Sequence, residues 1–191
     1  YTTGPFFFFK DKADTLPVSY GYYSSVWKKN KKGTWKVVMD LGIAIPGKPI
    51  EDPTLKTSTQ PLEKMKVKKN GIQKSLIEIE NNYCDKLNLS THSYDTSYLS
   101  KEVRIHRPNR YPIIGADVTD TILESEKTHR YTALDGQLSK SGDMGFVYGK
   151  VKVKVIRDSL IHEVKAVYYR VWKKEKGSHW KVVLDVIDRK S

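Results

Sequence analysis

Apolar residues recur along this chain with two rhythms, a period of two towards both ends and a period near 3.6 in the middle. The run Lys150-Val151-Lys152-Val153-Lys154-Val155 alternates lysine and valine strictly. That pattern predicts an antiparallel strand with one face on a core and one in water. Near the C-terminus, Trp180, Val182, Leu184 and Val186 fall on one face of an extended segment, and Lys181, Val183, Asp185 and Ile187 on the other. Earlier, Val26-Trp27 and Trp35-Lys36-Val37-Val38-Met39 flank Asn30-Lys31-Lys32-Gly33, which predicts a hairpin whose glycine takes a positive-φ turn position. In the middle, Ile72, Leu76, Ile79, Tyr83 and Leu87 recur at helical spacing and make one apolar stripe. Asn70, with Gln73 three residues on, resembles a capping box at the start of that helix. Shorter helical pieces are predicted over 96–100 and 118–125. Asp135-Gly136 and Gly142-Asp143 read as turn signals, not as a phosphate-binding loop.

The two ends of the chain are similar to each other. Residues 23–40 align without a gap on residues 168–185, with eleven of eighteen positions identical at a constant offset of 145. Both segments hold two tryptophans eight residues apart, and the same offset places Gly4 on Gly149. Between them, four prolines within residues 46–61 predict an extended linker. The expected organisation is three segments. Residues 1–45 form the C-terminal strands of a truncated first repeat, 46–67 a Pro-rich linker, and 68–191 a complete second domain. A hairpin sheet without helices cannot cover its apolar face, so the first segment is expected to pack on the second copy or to belong to a longer tandem protein.

Composition changes this picture only modestly. A hydrophobic fraction of 38% over 191 residues is that of a globular chain. No apolar run is long enough to span a bilayer. The formal charge is +12, but it is spread along the chain and is mostly lysine. Lysines alternating with valine read as a solvated face, which argues against nucleic acid as the partner. Lysines gathered on one face would reverse that reading. The lone Cys84 cannot form an internal disulfide, so cysteine usage leaves the compartment open.

Val103 to Gly115, the Ser141-Gly142-Asp143-Met144-Gly145-Phe146-Val147-Tyr148-Gly149 segment and Tyr168 to Asp185, in the order helix, helix, strand, helix, antiparallel sheet, resemble the nuclear transport factor 2-like superfamily. That group includes SnoaL-like cyclases and ketosteroid isomerase, and the likeness is strongest to an uncharacterised bacterial branch. The resemblance implies an α+β fold, a cone-shaped curved antiparallel sheet packed with N-terminal helices around an apolar pocket. It also implies pairing through the open sheets, as a homodimer or as an intrachain pseudo-dimer of the two copies.

Within that frame, His106 and Asp185 are the candidate acid/base residues. Asp185, paired by the repeat with Asp40, would act as a pocket carboxylate if its face is concave. Tyr83, Arg107, Tyr148, Tyr168 and Trp172 are the candidate ligand-binding residues, offering aromatic wall, hydroxyl donors and an anion clamp. Each has an ordinary structural reading beside the functional one. No His/Cys/Glu set has metal-ligand spacing and no nucleophile elbow is present, so neither a metal nor another cofactor is expected. The leading expectation is a protein that binds a small apolar or amphipathic molecule. The alternatives are a cofactor-independent isomerase, dehydratase or hydrolase, and an interaction module acting through its sheet.

Overall fold

In the computed structural model the residues described are 1–50, 72–89, 96–115, 128–157, 160–175 and 179–189. The chain divides into two compact units. The first comprises Tyr1–Gln60 with His106–Pro112, and the second Pro61–Ile105 with Ile113–Ser191. The predicted linker beyond residue 50, the Asn70 cap and the 118–125 helix lie outside the described residues.

The first unit is a three-stranded meander, β1 (Thr2–Phe8), β2 (Ser19–Lys29) and β3 (Trp35–Ile45), paired in that order and antiparallel. The predicted turn closes it. Gly33 takes φ of 81°, and the Asn30 side chain accepts from the amides of Lys32 and Thr34 at 2.9 and 3.0 Å. The segment 106–112 joins this unit, with the Asn109 amide donating to the carbonyl of Ala44 at 3.0 Å. Asn109 sits at φ of 59°, a conformation asparagine tolerates better than most residues.

Among the described residues, the second unit sets a helix, α1 (Ile72–Leu89), and a 3₁₀ turn (Thr96–Tyr98) on a six-stranded sheet. Its strands are β4 (Leu99–His106), β5 (Ile113–Ile114), β6 (Arg130–Leu138), β7 (Met144–Arg157), β8 (Leu160–Glu175) and β9 (His179–Asp188), in the order β5-β4-β9-β8-β7-β6. The lysine–valine alternation is realised in β7, where Val151 and Val153 are buried and Lys150, Lys152 and Lys154 exposed. The helical stripe is also realised: Leu76, Tyr83, Cys84 and Leu87 enter the core with Val103, Ile105, Tyr168, Trp172 and Val182. Asn88 ties the end of the helix to β6, donating to the Tyr131 carbonyl at 2.9 Å and accepting from its amide at 2.7 Å.

Three local expectations are corrected. Residues 96–98 form only a single 3₁₀ turn, and Leu99 already begins β4. Asp135-Gly136 is not a turn but lies within β6, just past a register shift between Ala133 and Asp135. Strict alternation along β9 also fails. Val171 pairs with Leu184 and Trp172 with Val182, so Val183 is an extra residue, a β-bulge, and the side chains beyond it change face. Val182, Asp185 and Ile187 therefore lie opposite Trp172, Arg170 and Tyr168, while Leu184 and Val186 lie opposite Val171 and Tyr169.

Candidate functional site

Alternation along β8 aims Tyr168, Arg170 and Trp172 at the sheet face that α1 covers, because residues two apart share a face. Val147 on β7 and Asp185 on β9 stand opposite Arg170 from either side. Helical periodicity brings Leu76, Glu80, Tyr83, Cys84 and Leu87 down onto the same region. Three charged side chains thus meet in the core. Glu80, Arg170 and Asp185 are each 0% exposed.

Their contacts form one network. Arg170 Nη1 donates to Glu80 Oε1 at 2.7 Å, and Arg170 Nε to Asp185 Oδ2 at 3.0 Å. Trp172 Nε1 donates to Glu80 Oε2 at 2.7 Å, and the Tyr168 hydroxyl to Glu80 Oε1 at 3.0 Å. Cys84 Sγ approaches Glu80 Oε1 at 3.2 Å and the Tyr168 hydroxyl at 3.3 Å. The guanidinium also lies 4.6–4.8 Å from the ring centres of Tyr83, Tyr131 and Tyr168, so its faces meet aromatic π-clouds instead of water. Burial pushes the Cys84 thiol up to about 12, against the opposing pull of Arg170. Burial, then the neighbouring Glu80 charge, also drives the Tyr168 hydroxyl far above its ordinary range. Both groups stay protonated at any ordinary pH. They act as hydrogen-bonding fixtures, not as nucleophile or base.

The network fills the centre of the second unit, and open space lies beside it. A groove of about 570 Å³ runs between α1, the 3₁₀ turn and the start of β9. Ile79, Tyr98 and Trp180 supply its apolar wall, with Ser97 between, and Lys86, His179 and Lys181 its polar groups. Among the described residues, no carboxylate lines it. Lys86 Nζ stands 4.8 Å from the ring centre of Tyr98, and Lys174 Nζ 5.2 Å from that of Trp180. Lys181 Nζ donates to the Ser97 carbonyl. Tyr98 links groove and network: it stacks on Tyr83 at 4.8 Å and meets the edge of Trp172 at 6.2 Å.

Of the residues singled out from sequence, Tyr83, Tyr168, Trp172 and Asp185 converge on the network. Tyr148 lies opposite Tyr169 on the other sheet face and is half-buried. His106 and Arg107 are buried and belong to the first unit. The His106 ring meets the edge of Tyr22 at 5.7 Å, and Arg107 Nη1 donates to the His106 carbonyl at 3.0 Å. Asp185 is engaged by Arg170 instead. Sequence reasoning missed Glu80, Arg170 and the groove. Two signals were present: Arg170 alternates with Tyr168 and Trp172, and Glu80 interrupts the apolar stripe between Leu76 and Tyr83.

The sequence matches no family model and no curated protein. Solved structures do match. A ketosteroid isomerase-like protein from Erwinia carotovora atroseptica gives a TM-score of 0.54 at 12% identity, over 64% of this chain and 98% of its own. The CaMKII hub of S. rosetta gives 0.50 at 16% identity, over 63% and 98%. SalBIII, an epoxide hydrolase/cyclase-like enzyme of pyran ring formation in salinomycin, gives 0.50 at 15% identity, over 61% and 92%. At such identities the likeness carries the fold and leaves the chemistry to the site. The fold of this chain is accordingly that of the nuclear transport factor 2-like superfamily, the α+β architecture that its sheet motifs predict.

Proposed function

We propose that this protein binds a small amphipathic molecule, and that the second unit takes it in the groove beside the core instead of at the core's centre. The observation that carries the reading is the composition of that groove: an apolar wall of Ile79, Tyr98 and Trp180 under a rim holding Lys86 and Lys181 and, among the described residues, no carboxylate. A volume of about 570 Å³ suits a ligand of small-molecule size. The buried Glu80–Arg170–Asp185 network supports the same assignment from the other side. It occupies the space a central ligand would need, and its hydrogen bonds fix Trp172 and, through ring contacts, the floor at Tyr98.

The enzyme reading draws on His106 and Asp185, and Asp185 already has Arg170 as its partner, which favours binding over acid/base chemistry. The proposal includes the tandem organisation. Its support is that both hairpins keep one register at the offset of 145, with Tyr23, Ser25 and Trp27 standing where Tyr168, Arg170 and Trp172 stand.

Decanoate, an anion on an apolar chain, is a suitable probe, with decylamine as its cationic counterpart. Titration calorimetry is expected to show decanoate binding and no decylamine binding. Trp180→Ala should weaken the decanoate affinity by about ten-fold or more, the loss of a buried aromatic contact. Undiminished decanoate binding by Trp180→Ala, or preference for the amine, would sink the assignment.

A further inference from the structure

The face of the second sheet opposite the core carries an uneven distribution of charge. Cross-strand pairing aligns Arg130 with Lys152 between β6 and β7, and Lys152 with Lys165 between β7 and β8. Lys150 and Lys154 flank Lys152 on the same face of β7, and all five cations are exposed. Glu163, bridged to Lys152 at 3.0 Å, lies among them, and Asp135 and Asp188 stand on the same face further from the ribbon, opposite Tyr148 and Val167. The lysine–valine alternation thus gathers cations on one face instead of scattering them, the circumstance that reverses the sequence reading of a merely solvated strand.

The same strands project beyond the sheet. β6 pairs with β7 only as far as Lys152, and β9 pairs with β8 only from Val167. Among the described residues, what continues past those points is a two-stranded ribbon, Val153 to Arg157 against Leu160 to Ala166. Its register puts Ile161 on the lysine-bearing face, and Ile161 is 70% exposed. Leu160 beside it is 64% exposed. Both large aliphatic side chains near the end of the ribbon are thus mostly exposed.

We propose that this ribbon and its basic face dock on an anionic phospholipid surface, with the lysines at the headgroups and Ile161 and Leu160 at the acyl boundary. Charge complementarity selects the class, because several lysines close to an anionic leaflet add up to stable adsorption. The apolar tip selects lipid over nucleic acid. Exposed aliphatic groups suit the acyl boundary, whereas single strands need aromatic stacking platforms; the ribbon beyond Lys152 carries no Phe, Tyr or Trp among its described residues, and Tyr148, on the same face beside Lys150, is half-buried.

Flotation of the whole chain with phosphatidylcholine vesicles, with and without phosphatidylglycerol, tests the inference. The protein is expected to float only with phosphatidylglycerol, and to be released by salt. The triple variant Lys150→Gln/Lys152→Gln/Lys154→Gln should lose roughly a hundred-fold in affinity, at about five-fold per lysine. Ile161→Ser should weaken binding several-fold while leaving the thermal melt unchanged. A matched variant, Lys28→Gln/Lys31→Gln/Lys32→Gln, removes equal charge from the first unit and should still bind. Equal losses in both triple variants would mean that net charge alone is at work, and would overturn the proposal. So would absence of flotation, or preference for duplex DNA with Ile161→Ser behaving as the unaltered protein.

Discussion

A single carboxylate holds the centre of the second unit together. Glu80 accepts from Arg170, Trp172 and Tyr168, while Asp185 accepts from Nε of the same guanidinium. A buried ion pair is poor evidence for net stability, but removing one partner leaves an uncompensated charge, at a cost of about 3–5 kcal/mol. Glu80→Ala should therefore lower the urea unfolding free energy by that order. Replacing Glu80, Arg170 and Asp185 together by Leu, Met and Leu should recover most of it. A triple variant no more stable than Glu80→Ala would show that the network is needed for its charge and not merely for its completeness. Cys84 reports on the same place. Its thiol is raised from an ordinary 9.0 to about 12, so in this pH range the folded chain holds a proton that the unfolded chain releases. The stability this confers is intact below pH 9 and is lost as pH rises towards 12, with Tyr168 shifted in the same direction. Cys84→Ala is expected to flatten the alkaline fall in denaturation midpoint. Below pH 9, Ellman's reagent should label Cys84 only in urea; rapid labelling of the folded chain would contradict its burial.

At the scale of elements, the two hairpins show what a sequence pattern can and cannot carry. Turn chemistry and the shared register at an offset of 145 follow from local signals: Gly33, alternating β-branched residues and paired tryptophans. The correspondence extends to details the pattern does not display. Each hairpin shifts register at the same position, between Val26 and Trp27 and between Val171 and Trp172. Each also sets a lysine over a tryptophan ring, Lys29 on Trp35 and Lys174 on Trp180. A bulge is invisible to alternation, since it depends on what the neighbouring strand does, and this is why the face of Val182 relative to Asp185 was misread. Arg170 was passed over for a similar reason. A charged residue on a strand looks solvated until the helix carrying its counter-charge is placed over it. Glycine contacts separate the hairpins energetically. A Cβ at Gly149 would meet the Thr132 carbonyl and stand 2.6 Å from the Tyr168 ring, whereas one at Gly4 would stand 3.3 Å from the Tyr23 ring. Gly149→Ala should destabilise by about 1–3 kcal/mol and Gly4→Ala by less, as overpacking requires. Chemical denaturation of the two variants checks the order.

Charge is the property that belongs to the whole molecule. With 34 Lys and Arg against 22 Asp and Glu, the chain carries +12 at neutral pH, and like charges at close quarters oppose compaction. An exposed ion pair does little to offset this. The Lys152–Glu163 bridge is well exposed, and such pairs contribute at most about 1 kcal/mol. Screening should then act in two opposite directions. Salt shortens the reach of repulsion among surface lysines, to a Debye length of about 8 Å at physiological ionic strength, so the melting temperature is expected to rise by a few degrees from low to physiological salt. The same screening weakens attraction to any anionic surface, so vesicle flotation should fall over that interval. Buried charges respond to neither change, because Arg170 and its carboxylates lie outside the reach of mobile ions, and Glu80→Ala should shift the melting temperature equally at both salt levels. Scanning calorimetry of the unaltered chain and of Glu80→Ala across a salt series separates the two electrostatic populations. A melting temperature that fell with added salt would place the dominant electrostatics in favourable surface pairs, and the excess positive charge would then not be what limits stability.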